Sequence, residues 1–259
     1  SIRSNQSLRT VFSDSFDIQI VLKKAHKQGW LFVDISDLDD KSKKEKISSL
    51  QKDSRVNGFN MNLAPLSELL LVKLSNDEHK LIWSNHHALL DGWSATILLS
   101  ELFNNYQHIK NNQEIPVLNK PDLSRYAKHL LRNDSLKSEE YWRKLLKSNP
   151  VGELGEFSLE QVTNPNSIYS IRSLKFDSNM VELISNFTKE YGVTLNTLIH
   201  SVWGFILHSY TGSKDIVFGE VTSGRPDSIE NVDKMVGMFI NTIPVVINGF
   251  EGNVSEFVK

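Results

Sequence analysis

Two apolar runs, 69–74 and 80–83, flank the polar tetrapeptide Ser75-Asn76-Asp77-Glu78, the pattern of two strands joined by a turn. Upstream, 18–22 and 30–35 read as strands. Residues 40–52 read as a helix with Ile47 and Leu50 as its apolar points and lysines elsewhere. Downstream, Leu98, Leu99, Leu102, Phe103 and Tyr106 recur at helical spacing, and 123–131 and 138–146 predict two more helices. Pro150, Gly152, Gly155 and Pro165 then interrupt 149–166, where no period persists. Beyond it, 170–176 reads as a strand and 180–191 as a helix closed by Gly192. Residues 194–210 form a longer, mostly apolar pattern, expected to be a buried helix, and 215–221 and 245–247 read as strands. This order predicts an α/β protein of two lobes, 1–150 and 167–259, joined by a linker at 151–166.

Composition narrows the function. A chain of 259 residues is long enough for two lobes. With 29 basic and 31 acidic residues the formal charge is −2, which gives no reason to expect nucleic acid or an anionic membrane as partner. Cysteine is absent. That excludes disulfides and thiolate chemistry and fits a cytoplasmic protein. No apolar run reaches membrane-spanning length and no signal-peptide pattern opens the chain.

The candidate chemistry lies where the second hairpin arm ends, in Ser84-Asn85-His86-His87-Ala88-Leu89-Leu90-Asp91-Gly92-Trp93-Ser94. Successive side chains at a strand end diverge, so one imidazole faces a given cavity and the other faces packing. An imidazole titrates near neutrality and accepts a proton from an amine or hydroxyl nucleophile. Asp91 either orients His87 or pairs with a distant arginine and locks the loop. Gly92 supplies a backbone conformation that a side chain would hinder. His86, His87 and Asp91 are possible metal ligands, but diverging histidines without a cysteine make a poor set, and no metal is expected. Spacing alone leaves catalysis and a pair of buried, hydrogen-bonded histidines evenly matched.

The stretch resembles the His-His-x-x-x-Asp-Gly signature of the condensation domains of nonribosomal peptide synthetases, in the chloramphenicol acetyltransferase-like superfamily. Other segments agree in order. Leu8, Arg9, Thr10 and Phe12 match an early family motif, with Ser4 and Asn5 where the family has Arg-His. Phe59, Pro65-Leu66, Tyr126-Ala127 and Tyr141-Trp142 match in part. Asp215, Val217-Phe218-Gly219, Ser223-Gly224-Arg225-Pro226 and the run 236–244, with Ile240 for valine, match two later motifs. The resemblance implies a two-lobed α/β fold of chloramphenicol acetyltransferase type, with a reaction tunnel between the lobes and the span truncated at both ends. It implies an acyltransferase of secondary-metabolite biosynthesis. The amine of an acceptor aminoacyl thioester attacks a donor acyl or peptidyl thioester, both held on 4'-phosphopantetheine arms of carrier domains, beside an adenylation domain. The domain itself binds no cofactor.

By the same resemblance His87 is the catalytic residue, and His86, Asp91 and Gly92 support its loop. Arg225 is the ion-pair partner of Asp91, and Trp93 and Asn241 line the tunnel or the lobe interface. The span alone is expected not to catalyse, and the loop favours joining two L-configured residues. The alternatives are an epimerization domain, a non-catalytic recruiting or docking copy of the fold, and a free-standing acyltransferase. Gly92-Trp93-Ser94 favours condensation over the Val-Ser-Trp typical after Asp-Gly in epimerization domains. Docking copies often lose the signature histidines, which are kept here.

Overall fold

The hairpin that carries the histidines is made of β4 (Ser67–Lys73) and β5 (His79–Asn85). They pair antiparallel from Ser67↔Asn85 to Lys73↔His79. The computed structural model describes residues 4–15, 17–24, 30–118, 120–132, 135–148, 173–250, 253 and 257. On the other edge of β4, β3 (Trp30–Asp34) pairs parallel, Trp30 opposite Leu69. The connection between these parallel strands carries α1 (Asp40–Asn57), as a crossover requires. Asp39 caps α1 by accepting from Lys41 and Ser42 N–H, and Gly58 ends it at φ +56°. Ile47 and Leu50 of α1 pack on Ile35, Leu70 and Val72, the positions the sequence pattern marked as apolar.

A second small sheet pairs β1 (Thr10–Phe12) with β2 (Gln19–Val21) antiparallel. After the histidine loop comes α2 (Gly92–Lys110), then α3 (Ser124–Arg132) and α4 (Ser135–Ser148). The buried residues of α2 are Ser94, Leu98 and Glu101, one stripe at helical spacing. Phe103 and Tyr106, which share the apolar spacing with Leu98, are 59% and 57% exposed. The buried stripe is mostly polar, so a reading of apolar periodicity mislocates it.

The chain divides into one unit of Ser1–Asn133 with Ser223–Asn241 and another of Asp134–Thr222 with Thr242–Lys259. This differs from the division expected from the sequence. The helix α4 groups with the second unit, and 223–241 return to the first. The return has a packing cause: Ile229, Val232, Met235 and Phe239 form a buried cluster with Leu123 and Tyr126, and the Tyr126 and Phe239 rings meet edge to face at 4.7 Å. The expected linker 151–166 lies outside the described residues.

In the second unit, α5 (Ser178–Tyr191) is capped by Asp177 and closed by Gly192 at φ +66°. Then α6 (Leu195–Thr211) is capped by Thr194 and lies against β6 (Ile216–Thr222) and β7 (Asn241–Ile247), which pair with each other. Contact is close at Gly204, where a Cβ would come within 2.7 Å of Ile247 Cδ1. The expected burial of this helix is not observed: only Ser201 and Gly204 are buried, while Ile199, Val202 and Phe205 are 50–55% exposed. Among the described residues a two-stranded sheet covers only one stripe of a helix that is apolar almost all round. Of the strand expected at 170–176, residues 173–176 are not strand, and 170–172 lie outside the described residues.

Candidate active site

At its end β5 is held by side chains as well as by its ladder. Trp83 Nε1 donates to Ser67 Oγ at 2.8 Å, and Ser54 Oγ and Ser84 Oγ lie 2.7 Å apart. His86 then leaves the strand and starts a single 3₁₀ turn, His87–Leu89. Its N–H donates to Leu66 O at 2.9 Å, and its Nδ1 accepts from Ala88 N–H at 3.2 Å. An accepting Nδ1 puts the proton of the neutral ring on Nε2. His87 is exposed. Leu89 and Leu90, each 3% exposed, fix the turn in a core with Leu8, Phe12, Leu66, Leu98 and Val236. His87 is therefore not one of a buried pair, and it is His86 that bonds to the backbone on both sides of the turn's start.

Asp91 caps α2 and is 1% exposed. Its Oδ1 accepts from Ser94 N–H at 2.8 Å and its Oδ2 from Phe239 N–H at 3.1 Å. Arg225 Nη2 stands 3.3 Å from Oδ1 and 3.4 Å from Oδ2, so the structure brings together the two residues paired in the sequence reading. The second terminal nitrogen of Arg225 is also held. Nη1 donates to Val232 O at 2.6 Å and to Met235 O at 2.9 Å, and its Cζ lies 4.0 Å from the Phe239 ring centroid, within cation–π range. Burial pushes the Asp91 carboxyl up, but hydrogen bonds from Ser94 and Phe239 and the Arg225 charge outweigh it and hold it below its ordinary value.

Gly92 does not meet its expectation. A Cβ built there meets nothing within 4 Å, and its φ lies outside the left-handed region. The glycine that the backbone does require is Gly224, just before Arg225. Its φ is +59°, and a Cβ would stand 1.6 Å from Phe239 O. Two backbones meet there, so neither can turn aside as a side chain would. Gly224→Ala is expected to cost more than the roughly 1–2 kcal/mol of the left-handed conformation alone. It should lower the urea midpoint of the chain accordingly; an unchanged midpoint would contradict this close approach.

Trp93 Nε1 donates to Asp233 O at 2.9 Å. Its half-exposed ring lines a cleft of about 1020 Å³ with Ile97, Glu101, Lys120 and Arg125, which neither His86 nor His87 lines. At that cleft Asn5, 3% exposed, donates to Glu101 Oε2 at 3.1 Å, and Lys120 Nζ pairs with Glu101 Oε1. Asn5 thus bonds the buried Glu101 that Lys120 pairs with. Burial pushes the Lys120 ammonium down. Asn241 is exposed, at the point where the chain passes from one unit to the next. Among the described residues no three of His, Cys, Asp and Glu come together as a metal set. The sequence reading assigned no site role to Ser94, Gly224, Gly237 or Phe239, although each lies in a segment it matched to a family motif or quoted with the signature.

Residues 1–259 match the family model for the condensation domain. The chain belongs to that family. A plipastatin synthase of Bacillus subtilis (strain 168) is 35% identical over 229 residues, 87% of this chain and 9% of that protein. A linear gramicidin synthase of Brevibacillus parabrevis is 33% identical over 88% of this chain and 4% of that protein. This condensation-domain span is thus under a tenth of the length of the synthetases it matches. Among solved structures, the first condensation domain of the calcium-dependent antibiotic synthetase superposes with a TM-score of 0.74 at 18% identity, over 99% of this chain and 62% of that one. The epimerization domain from the third module of tyrocidine synthetase B gives 0.79 at 18% identity, over 99% and 59%. These likenesses show the chloramphenicol acetyltransferase-like α/β fold and do not separate the two activities.

Proposed function

We propose that the span is the part of a nonribosomal peptide synthetase condensation domain that carries His87 as the catalytic residue of amide formation. The observation that carries this reading is the contrast within the signature loop. Leu89, Leu90 and Asp91 are buried and the Arg225 side chain is paired with Asp91, while the His87 ring is exposed and forms no hydrogen bond among the described residues. A rigid loop that presents one unpartnered imidazole suits a group that meets substrate. The amine nitrogen of the acceptor attacks the donor thioester carbonyl, the carbon–sulfur bond breaks, and the thiolate leaves with the donor carrier. The neutral imidazole accepts a hydrogen bond from the attacking amine and takes the proton that the new amide nitrogen must lose. Tethering both reactants on carriers adds a proximity effect.

The partners are donor and acceptor carrier domains with phosphopantetheine arms, and an adenylation domain in the same synthetase. No cofactor resides in the domain. No described helix is long and apolar enough to cross a membrane, and the proposed place of action is the cytoplasm. Donor and acceptor are both proposed to be L-configured, on the strength of the loop Leu89-Leu90-Asp91-Gly92-Trp93-Ser94.

The test is single-turnover transfer between two loaded carriers, read by mass spectrometry. Because this span covers only 62% of the solved condensation domain, the 259-residue chain is run beside a full-length domain containing it. Amide is expected from the full-length domain and not from the span. Equal turnover by the span would show that it is self-sufficient. Deuterium entering the α-carbon of a loaded residue, with no amide formed, would give the assignment to epimerization. That alternative is kept because of the fold likeness to the tyrocidine epimerization domain.

A further inference from the structure

Ser94 is 0% exposed, and its hydroxyl uses every hydrogen-bonding valence it has. It donates to Gly237 O at 2.8 Å, accepts from Gly237 N–H at 3.0 Å and accepts from Arg225 Nη2 at 2.9 Å. One proton and two lone pairs are the whole capacity of a hydroxyl. Gly237 O also accepts from Asp91 N–H at 3.2 Å. The peptide groups of Gly237 are therefore clamped to the Asp91–Ser94 turn from both sides. Space there is tight, since a Cβ on Gly237 would come within 3.0 Å of Phe239 Cε2 and 3.1 Å of Leu123 Cδ2. Farther along, Ser7 Oγ donates to Val236 O and Phe239 N–H to Asp91 Oδ2. Asp91 holds Gly237 only at its carbonyl, whereas the Ser94 hydroxyl holds both its N–H and its C=O. The hydroxyl thus adds two bonds to that contact, and it is one further acceptor for the Arg225 Nη2 that faces both Asp91 oxygens.

We propose that Ser94 is a positioning residue. Its hydroxyl locks the signature turn onto the Gly237 backbone and so sets where His87 is presented. The catalytic consequence rests on the reading of His87 given above; the geometric consequence does not.

The geometric arm uses the 259-residue chain. The His87 ring and amide resonances are compared by NMR in wild type, Ser94→Ala, Ser94→Cys and Val72→Ala. Cysteine keeps the shape of the side chain at slightly larger size and weakens the hydrogen bonds, and it remains the test variant where alanine does not fold. Val72, 0% exposed in a different core cluster, controls for loss of stability without change at the turn. The His87 signals are expected to move in the Ser94 variants and to stay in place in Val72→Ala.

The catalytic arm uses the full-length domain at a temperature where every variant is folded. The rate constant at saturating carriers should fall about 10–10²-fold in the Ser94 variants, the scale of a small misplacement, with the half-saturating carrier concentration unchanged. His87→Ala is run alongside. If it transfers normally, the reading of the reaction has failed, and the resonances still decide the geometric claim. Unmoved His87 signals, or normal turnover by Ser94→Cys where His87→Ala is inactive, would overturn the inference.

Discussion

His87→Ala in a full-length domain containing this span is expected to lower single-turnover amide formation by about 10²–10⁴-fold, the usual contribution of a positioned general base. The fold should hardly notice. His87 is exposed, and the turn it starts is held by Leu89, Leu90 and Asp91. A substitution of that kind changes stability by no more than about 0.5 kcal/mol. The two measurements are transfer between loaded carriers and the denaturation midpoint. Loss of transfer with an unchanged midpoint is the expected pair, and near-normal transfer would remove His87 from the mechanism. His86→Ala should show the opposite balance. Its ring accepts the Ala88 N–H that opens the turn, so stability suffers first.

The second large effect is on the buried pair. Asp91→Asn is expected to destabilise the chain by about 3–5 kcal/mol, the range seen when one partner of a buried ion pair is removed. The shape is unchanged, so the cause is hydrogen-bond polarity. One carboxylate oxygen receives Ser94 N–H, the other receives Phe239 N–H, and Arg225 Nη2 faces both. An asparagine amide has one accepting oxygen, so either orientation aims an NH₂ at a backbone donor. Arg225 is left with an uncompensated charge, its side chain 5% exposed. The same residue predicts a pH dependence. The folded-state pKa of Asp91 lies below its ordinary value of 3.8, so the folded state holds the carboxylate more tightly than the unfolded chain does. The resulting stability is complete above that ordinary value and is lost as pH falls through the lower, folded value. Urea midpoints taken at neutral pH and through the acid range below 3.8 should fall steeply for wild type and less so for Asp91→Asn. Equal midpoints and equal acid slopes in the two proteins would sink the account.

Much of this molecule was legible before any coordinates. The hairpin of β4 and β5, the α1 positions Ile47 and Leu50, and the close of α5 at Gly192 follow from local spacing and turn chemistry. The signature loop was legible as a loop. Those features depend on neighbours a few residues apart, and such neighbours are written next to one another. The inner face of α2 was not legible, because periodicity is read from apolar residues. The face that became buried is Ser94, Leu98 and Glu101, two of them polar and each paired by residues distant in sequence. Ser94 meets Gly237 across 143 positions and Glu101 meets Asn5 across 96. A serine hydroxyl in a sequence is equally a surface group, a helix cap or a buried clamp, since its chemistry is the same in all three. Only the return of 223–241 to the first unit supplies the Gly237 peptide and the Arg225 guanidinium that make it a clamp. Exposure of α6 was likewise decided in three dimensions, by the narrow width of β6 and β7. Apolar content states what a helix would gain from burial, and the tertiary structure determines whether a surface is there to bury it.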